Sequence, residues 1–95
     1  MKSAPLNYVQ IACTCPRGHL LGTVVQTPTG LWWGGRVLRD GRPVQTTSLP
    51  RGHKVKASCA ACGLGTDYQA SWKRVAAALA EARDTHSART TLVFG

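Results

Sequence analysis

Acidic side chains are scarce in this chain. Four carboxylates (Asp40, Asp67, Glu81 and Asp84) stand against twelve lysines and arginines in 95 residues, giving a formal net charge of +8. Catalysis by a pair of positioned carboxylates therefore has little to draw on. Large apolar side chains are also few: one Phe, one Met, two Tyr and three Trp. No stretch approaches the roughly 18 apolar residues that a membrane-spanning helix needs. Residues 1–7 carry one lysine and no apolar run, so no export signal is expected there and the expected compartment is the cytoplasm. In that reducing setting clustered cysteines are expected as metal ligands rather than disulfides.

What is present is four cysteines in two clusters. The first is Cys13-Thr14-Cys15-Pro16-Arg17-Gly18-His19 and the second is Cys59-Ala60-Ala61-Cys62-Gly63. Each offers soft donors at turn spacing with a glycine that can open the turn. Brought together, two such turns make a tetrahedral Zn²⁺ site. The thin core gives this weight. Structural zinc contributes about 10–16 kcal/mol, against a total stability of about 5–15 kcal/mol for an ordinary domain.

The first cluster has three donors for two places. Cys15, His19, Cys59 and Cys62 are the preferred ligands for a single structural ion, because Cys15 and His19 fit a knuckle stiffened by Pro16. The rival set replaces His19 with Cys13. In the preferred set Cys13 is a small buried hydrophobe, and His53 is a surface residue in either. Four protein ligands close the coordination shell, whereas a catalytic zinc keeps an open position and a nearby base. None of the four acids adjoins a ligand, and the His-x-Glu of zinc deaminases is missing. The expectation is a protein that is not an enzyme.

Periodicity places strands at residues 6–13, 19–27, 31–38, 43–47, 54–58 and 66–70, with turn signals at Pro28-Thr29-Gly30 and Asp40-Gly41. In the third of these, Leu31, Trp33 and Val37 share one face and Trp32 and Arg36 the other. Trp72, Val75, Ala76, Leu79 and Ala82 mark one face of a helix over 71–85, capped by Ser71. Thr66 to Gln69 also fits a capping box, but a strand is preferred there. Residues 90–94 read as a last strand at a sheet edge. The Pro-Arg-Gly-His at 16–19 recurs at 50–53 with unrelated flanks and is read as coincidence.

Cys-Pro-Arg-Gly-His-Leu-Leu-Gly, then Gly-Leu-Trp-Trp, then Cys-Ala-Ala-Cys-Gly resembles small uncharacterised zinc-ribbon proteins of actinobacteria and their phages. The resemblance covers roughly residues 11–70 and departs from the commonest ribbon pattern in its first-knuckle histidine. It implies metal binding and a role in transcription or translation complexes. The expected architecture is α+β and mostly β: a single domain over 1–95, with a zinc-ribbon-like antiparallel sheet and one C-terminal helix packed on it.

The charge excess points to a polyanionic partner, most often nucleic acid. Arg51, Lys54 and Lys56 precede or lie on one strand face, and Arg36, Arg39 and Arg42 surround the Asp40-Gly41 turn; together they suit phosphate contact. Trp32 beside Arg36 can stack on an unpaired base or anchor a protein. The leading reading is a small basic zinc module associated with nucleic acid. The alternative is a phage or bacterial interaction module that binds a host protein complex. Solvated lysines protecting a sheet edge remain the plainer account of Lys54 and Lys56.

Overall fold

The protein is seen as a computed structural model that describes residues 8–63, 65–85 and 88–95. Its strands are β1 (Val9–Thr14), β2 (Leu20–Thr27), β3 (Gly30–Gly34), β4 (Leu38–Arg39), β5 (Arg42–Pro43), β6 (Thr46–Ser48), β7 (Val55–Ser58), β8 (Asp67–Ala70) and β9 (Arg89–Val93). A single described helix, α1 (Trp72–Asp84), precedes β9. The fold is α+β and mostly β, with the helix packed against the sheet. Leu6 and Asn7, part of the first expected strand, and the expected absence of an export signal concern residues outside the described set.

The main sheet has the order β6-β3-β2-β1-β9. Four of its strands are antiparallel neighbours, as alternation and turn signals imply. The fifth departs from the expected antiparallel arrangement: β9 lies parallel to β1. The cause is the helix. A chain that leaves β8 and crosses through α1 re-enters the sheet edge in the direction of β1, as parallel pairing requires a crossover of this kind.

Register divides the side chains into two layers. Ile11 pairs with Val24, and Val24 with Trp33. This inner face also carries Val9, Cys13 and Leu31, and it packs with Val75, Ala78, Leu79 and Ala82 of the helix. Trp33 stacks on Phe94, with ring centroids 6.2 Å apart. Ser71 caps the helix, its hydroxyl accepting from the Arg74 amide at 3.3 Å. The Arg74 guanidinium in turn donates to the Val93 carbonyl on the exposed edge strand, which blunts an edge open to further pairing.

The outer face carries Gln10, Val25 and Trp32 in one row across three strands. It is covered by a two-residue hairpin, β4–β5, whose Asp40 and Gly41 both have positive φ (54° and 77°). Positive φ at both central residues is what a type I′ turn demands, so Asp-Gly is the fitting pair. Gln10 Nε2 donates to the Gly41 carbonyl at 2.8 Å, and the Arg42 guanidinium lies 4.5 Å from the Tyr8 ring centroid. Pro43 sits where a side chain on Gly34 would be. That packing ends β3 at Gly34 rather than at Leu38, so Arg36 and Val37 leave the strand and Val37 is 72% exposed. The face shared by Leu31, Trp33 and Val37 is thus shorter than periodicity implies.

Candidate metal centre

Two hairpin turns supply the site. Between β1 and β2 the Gly18 amide donates to the Cys15 carbonyl and the Cys15 amide to the His19 carbonyl, both at 2.9 Å. Gly18 adopts φ 88°, which closes this turn without the strain a side chain would bring. Between β7 and β8 the Cys62 amide donates to the Cys59 carbonyl at 3.2 Å, and the Cys59 amide to the Thr66 carbonyl at 2.9 Å. Gly63, at φ 122°, continues that turn.

The turns face each other. The Cys15, Cys59 and Cys62 Sγ atoms and a His19 ring nitrogen all lie within 4.8 Å of one another. His19 Nδ1 is 3.3 Å from Cys15 Sγ, 3.4 Å from Cys62 Sγ and 3.7 Å from Cys59 Sγ. Cys15 and Cys62 Sγ are 3.7 Å apart, and both cysteines are free. A tetrahedral ion with metal–sulfur bonds of about 2.3 Å and metal–nitrogen bonds of about 2.0–2.1 Å requires S···S edges of roughly 3.8 Å and S···N edges of roughly 3.6 Å. The observed edges agree with that polyhedron, and a disulfide at about 2.05 Å is excluded. These four residues can hold one metal ion.

Their electrostatics favour a cation. Burial raises the Cys15 thiol, but backbone hydrogen bonds from His19 and Arg17 and side-chain bonds from Cys62 and Cys59 outweigh it and bring its pKa to about 6. The His19 amide contributes directly, donating to Cys15 Sγ at 3.4 Å. At Cys62 the Tyr68 hydroxyl favours the thiolate, yet burial and the neighbouring Cys59 and Cys15 sulfurs push the group above its ordinary value. The protein therefore stabilises the first negative charge well and resists the next. A bound cation removes that antagonism, since each thiolate then faces positive charge.

Cys13 lies apart from the gathered donors. It is fully buried in the core cluster, its thiol turned to the Ile11 carbonyl at 3.5 Å. Burial drives its pKa up to about 12, against a lesser pull from a Val24 backbone bond. A thiol so reluctant to ionise belongs to the packing. Tyr68 is the partner that sequence reading missed. It stands on β8, six residues beyond Cys62, and the fold-back of the β7–β8 hairpin lets its phenol favour the Cys62 thiolate.

The basic candidates are dispersed. Arg36, Arg39 and Arg42 are exposed around the β4–β5 hairpin, while Arg51, Lys54 and Lys56 are exposed before and along β7. Lys56 is drawn to Asp67 across the β7–β8 ladder, Nζ to Oδ2 3.5 Å, and Asp67 also accepts from the Ser58 hydroxyl at 2.7 Å. The charge of Lys56 is thereby partly answered within the hairpin. His53 is exposed and lies outside the metal cluster. Trp32 is half-buried, its indole Nε1 donating to Thr27 Oγ1 at 3.2 Å. No helix among the described residues is long and apolar enough to cross a membrane. No family model, curated protein or solved structure matches the chain.

Proposed function

We propose that the ion is a single structural zinc and that the protein is a small basic module associating with nucleic acid through phosphate contacts. Three thiolates and one imidazole at tetrahedral spacing suit zinc, a d¹⁰ ion without a competing geometric preference. With Cys15, His19, Cys59 and Cys62 all engaged, the shell is closed and the ion clamps two hairpins instead of activating water.

The observation that supports the nucleic-acid reading is the β4–β5 hairpin. Arg36, Arg39 and Arg42 are exposed around one turn, with Asp40 as the acid between them. The test is the salt dependence of binding to a labelled oligonucleotide. Arg36→Ala with Arg39→Ala is expected to weaken binding and to flatten the slope of log K against log salt by about 0.7–0.9 per lost phosphate contact. A slope equal to that of the wild type removes this reading.

A second reading rests on the same hairpin. Val37, Leu38 and Val44 are 72%, 42% and 54% exposed, and clustered exposed apolar side chains mark protein interfaces. Under that reading association with a protein complex survives nuclease treatment and is lost on Val37→Asp with Val44→Asp.

A further inference from the structure

Beside the hairpin there is a cleft that the metal site does not use. Tyr8, Val25, Thr27, Trp32, Arg42 and Pro43 are among the residues that line it, and its volume is about 380 Å³. That lies in the range of about 300–1,000 Å³ typical of small-ligand sites. Its floor is the outer face of β2 and β3, where Val25 pairs with Trp32. Its wall is β5, held down by the contact of Arg42 with Tyr8 and by Pro43 over Gly34.

The two aromatic residues are fixed before any ligand arrives. The Trp32 indole is pinned by its bond to Thr27, and the Tyr8 hydroxyl donates to Gln10 Oε1 at 2.8 Å. Gln10 is itself 7% exposed and spends its amide on the hairpin. Aromatic surfaces held this way lose little entropy on binding. No carboxylate is among the lining residues of this cleft. Arg42 also lines the adjoining cleft together with Arg39 and Asp40, so cationic side chains continue from the aromatic floor onto the hairpin tip.

We propose that this cleft takes one unpaired base of a single-stranded nucleic acid, stacked on Trp32 beside Tyr8, with its neighbouring phosphate held by Arg42 and Arg39. The proposal rests on the nucleic-acid reading above and makes it specific. Duplex bases are already stacked on one another and offer no face to such a site, whereas unpaired bases do. Stacking on an aromatic side chain is worth about 1–3 kcal/mol per base, or roughly 5- to 150-fold in affinity.

The test uses the zinc-loaded full chain and fluorescein-labelled 12-mers of dT, rU and a duplex, followed by anisotropy at two salt concentrations. The wild type is expected to prefer either single strand over the duplex by about tenfold or more. Trp32→Ala is expected to lose roughly 5- to 150-fold in single-strand affinity, with the salt slope unchanged. Trp32→Phe, which keeps a stacking face and guards against misfolding in the alanine variant, is expected to recover most of that loss. Arg42→Gln is expected to weaken binding and flatten the slope by about 0.7. A difference between dT and rU assigns the natural strand. Duplex binding equal to single-strand binding, or Trp32→Ala and Trp32→Phe both binding like the wild type, overturns the cleft while leaving phosphate association standing. Absence of binding by the wild type to all three probes at low salt overturns both.

Discussion

The ring of Trp33 lies over Gly22, in the space a β-carbon there would fill. Gly22 pairs with Cys13 on one side, and Trp33 reaches across to stack on Phe94. Gly22→Ala forces the indole off its partner. The expected loss is about 1–3 kcal/mol, as for other overpacked cores, read as a lower denaturation midpoint. Gly35→Ala is the control, because nothing lies within 4 Å of a β-carbon at that position, and it is expected to change stability by less than about 0.5 kcal/mol.

Removing the ion is expected to unfold the chain. The binding energy of a structural zinc, about 10–16 kcal/mol, is comparable to the whole stability of an ordinary domain, about 5–15 kcal/mol. One zinc per chain by elemental analysis, and loss of near-ultraviolet circular dichroism on chelation, are the expected results. Cys59→Ser should behave as the chelated protein does. A chelated, metal-free chain that keeps its dichroism contradicts the structural role.

Tyr68→Phe deletes the hydroxyl that favours the Cys62 thiolate. Partners that orient metal ligands typically account for 10- to 100-fold in affinity. A competition titration against a zinc chelator is expected to show a loss in that range, with the ligand set and the fold retained.

Cys13 gives the pH dependence. Its folded-state pKa of about 12 lies above the ordinary value of 9.0, so burial favours the neutral thiol. The stabilisation is complete below pH 9 and is lost as the pH rises from 9 towards 12, because the unfolded chain ionises first. The slope is about 1.4 kcal/mol per pH unit. Cys13→Ala lacks this term. Its stability relative to the wild type is expected to improve steadily above pH 9, measured by urea denaturation between pH 8 and 10.5.

Much of the architecture is legible in the sequence because it depends on local chemistry. Ser71 and the Val75, Leu79, Ala82 stripe specify the helix, and Asp40-Gly41 specifies a tight turn wherever its flanks pair. Donor type and turn spacing favour Cys15, His19, Cys59 and Cys62 but leave Cys13 as a rival, which its burial in the core sets apart. What the sequence hides is long-range geometry. Arg36 and Val37 continue an apolar-polar alternation, yet Pro43 packing on Gly34 ends the strand before them. Tyr68 is an unremarked strand tyrosine until the hairpin returns it to Cys62. Tyr8 and Arg42 form one wall only after β4–β5 folds over the outer face, a placement no periodicity encodes.

The parallel seam between β1 and β9 is expected to be the slow step of folding. It joins segments from opposite ends of the described residues, and closing so large a loop is slow compared with forming hairpins or a helix. If the proposed ion were caught early by the Cys15 and Cys59 turns, it would shorten that search by stapling the middle of the chain beside β1 before the final segment docks. Metal supply would then govern how quickly the protein matures as well as whether it stays folded.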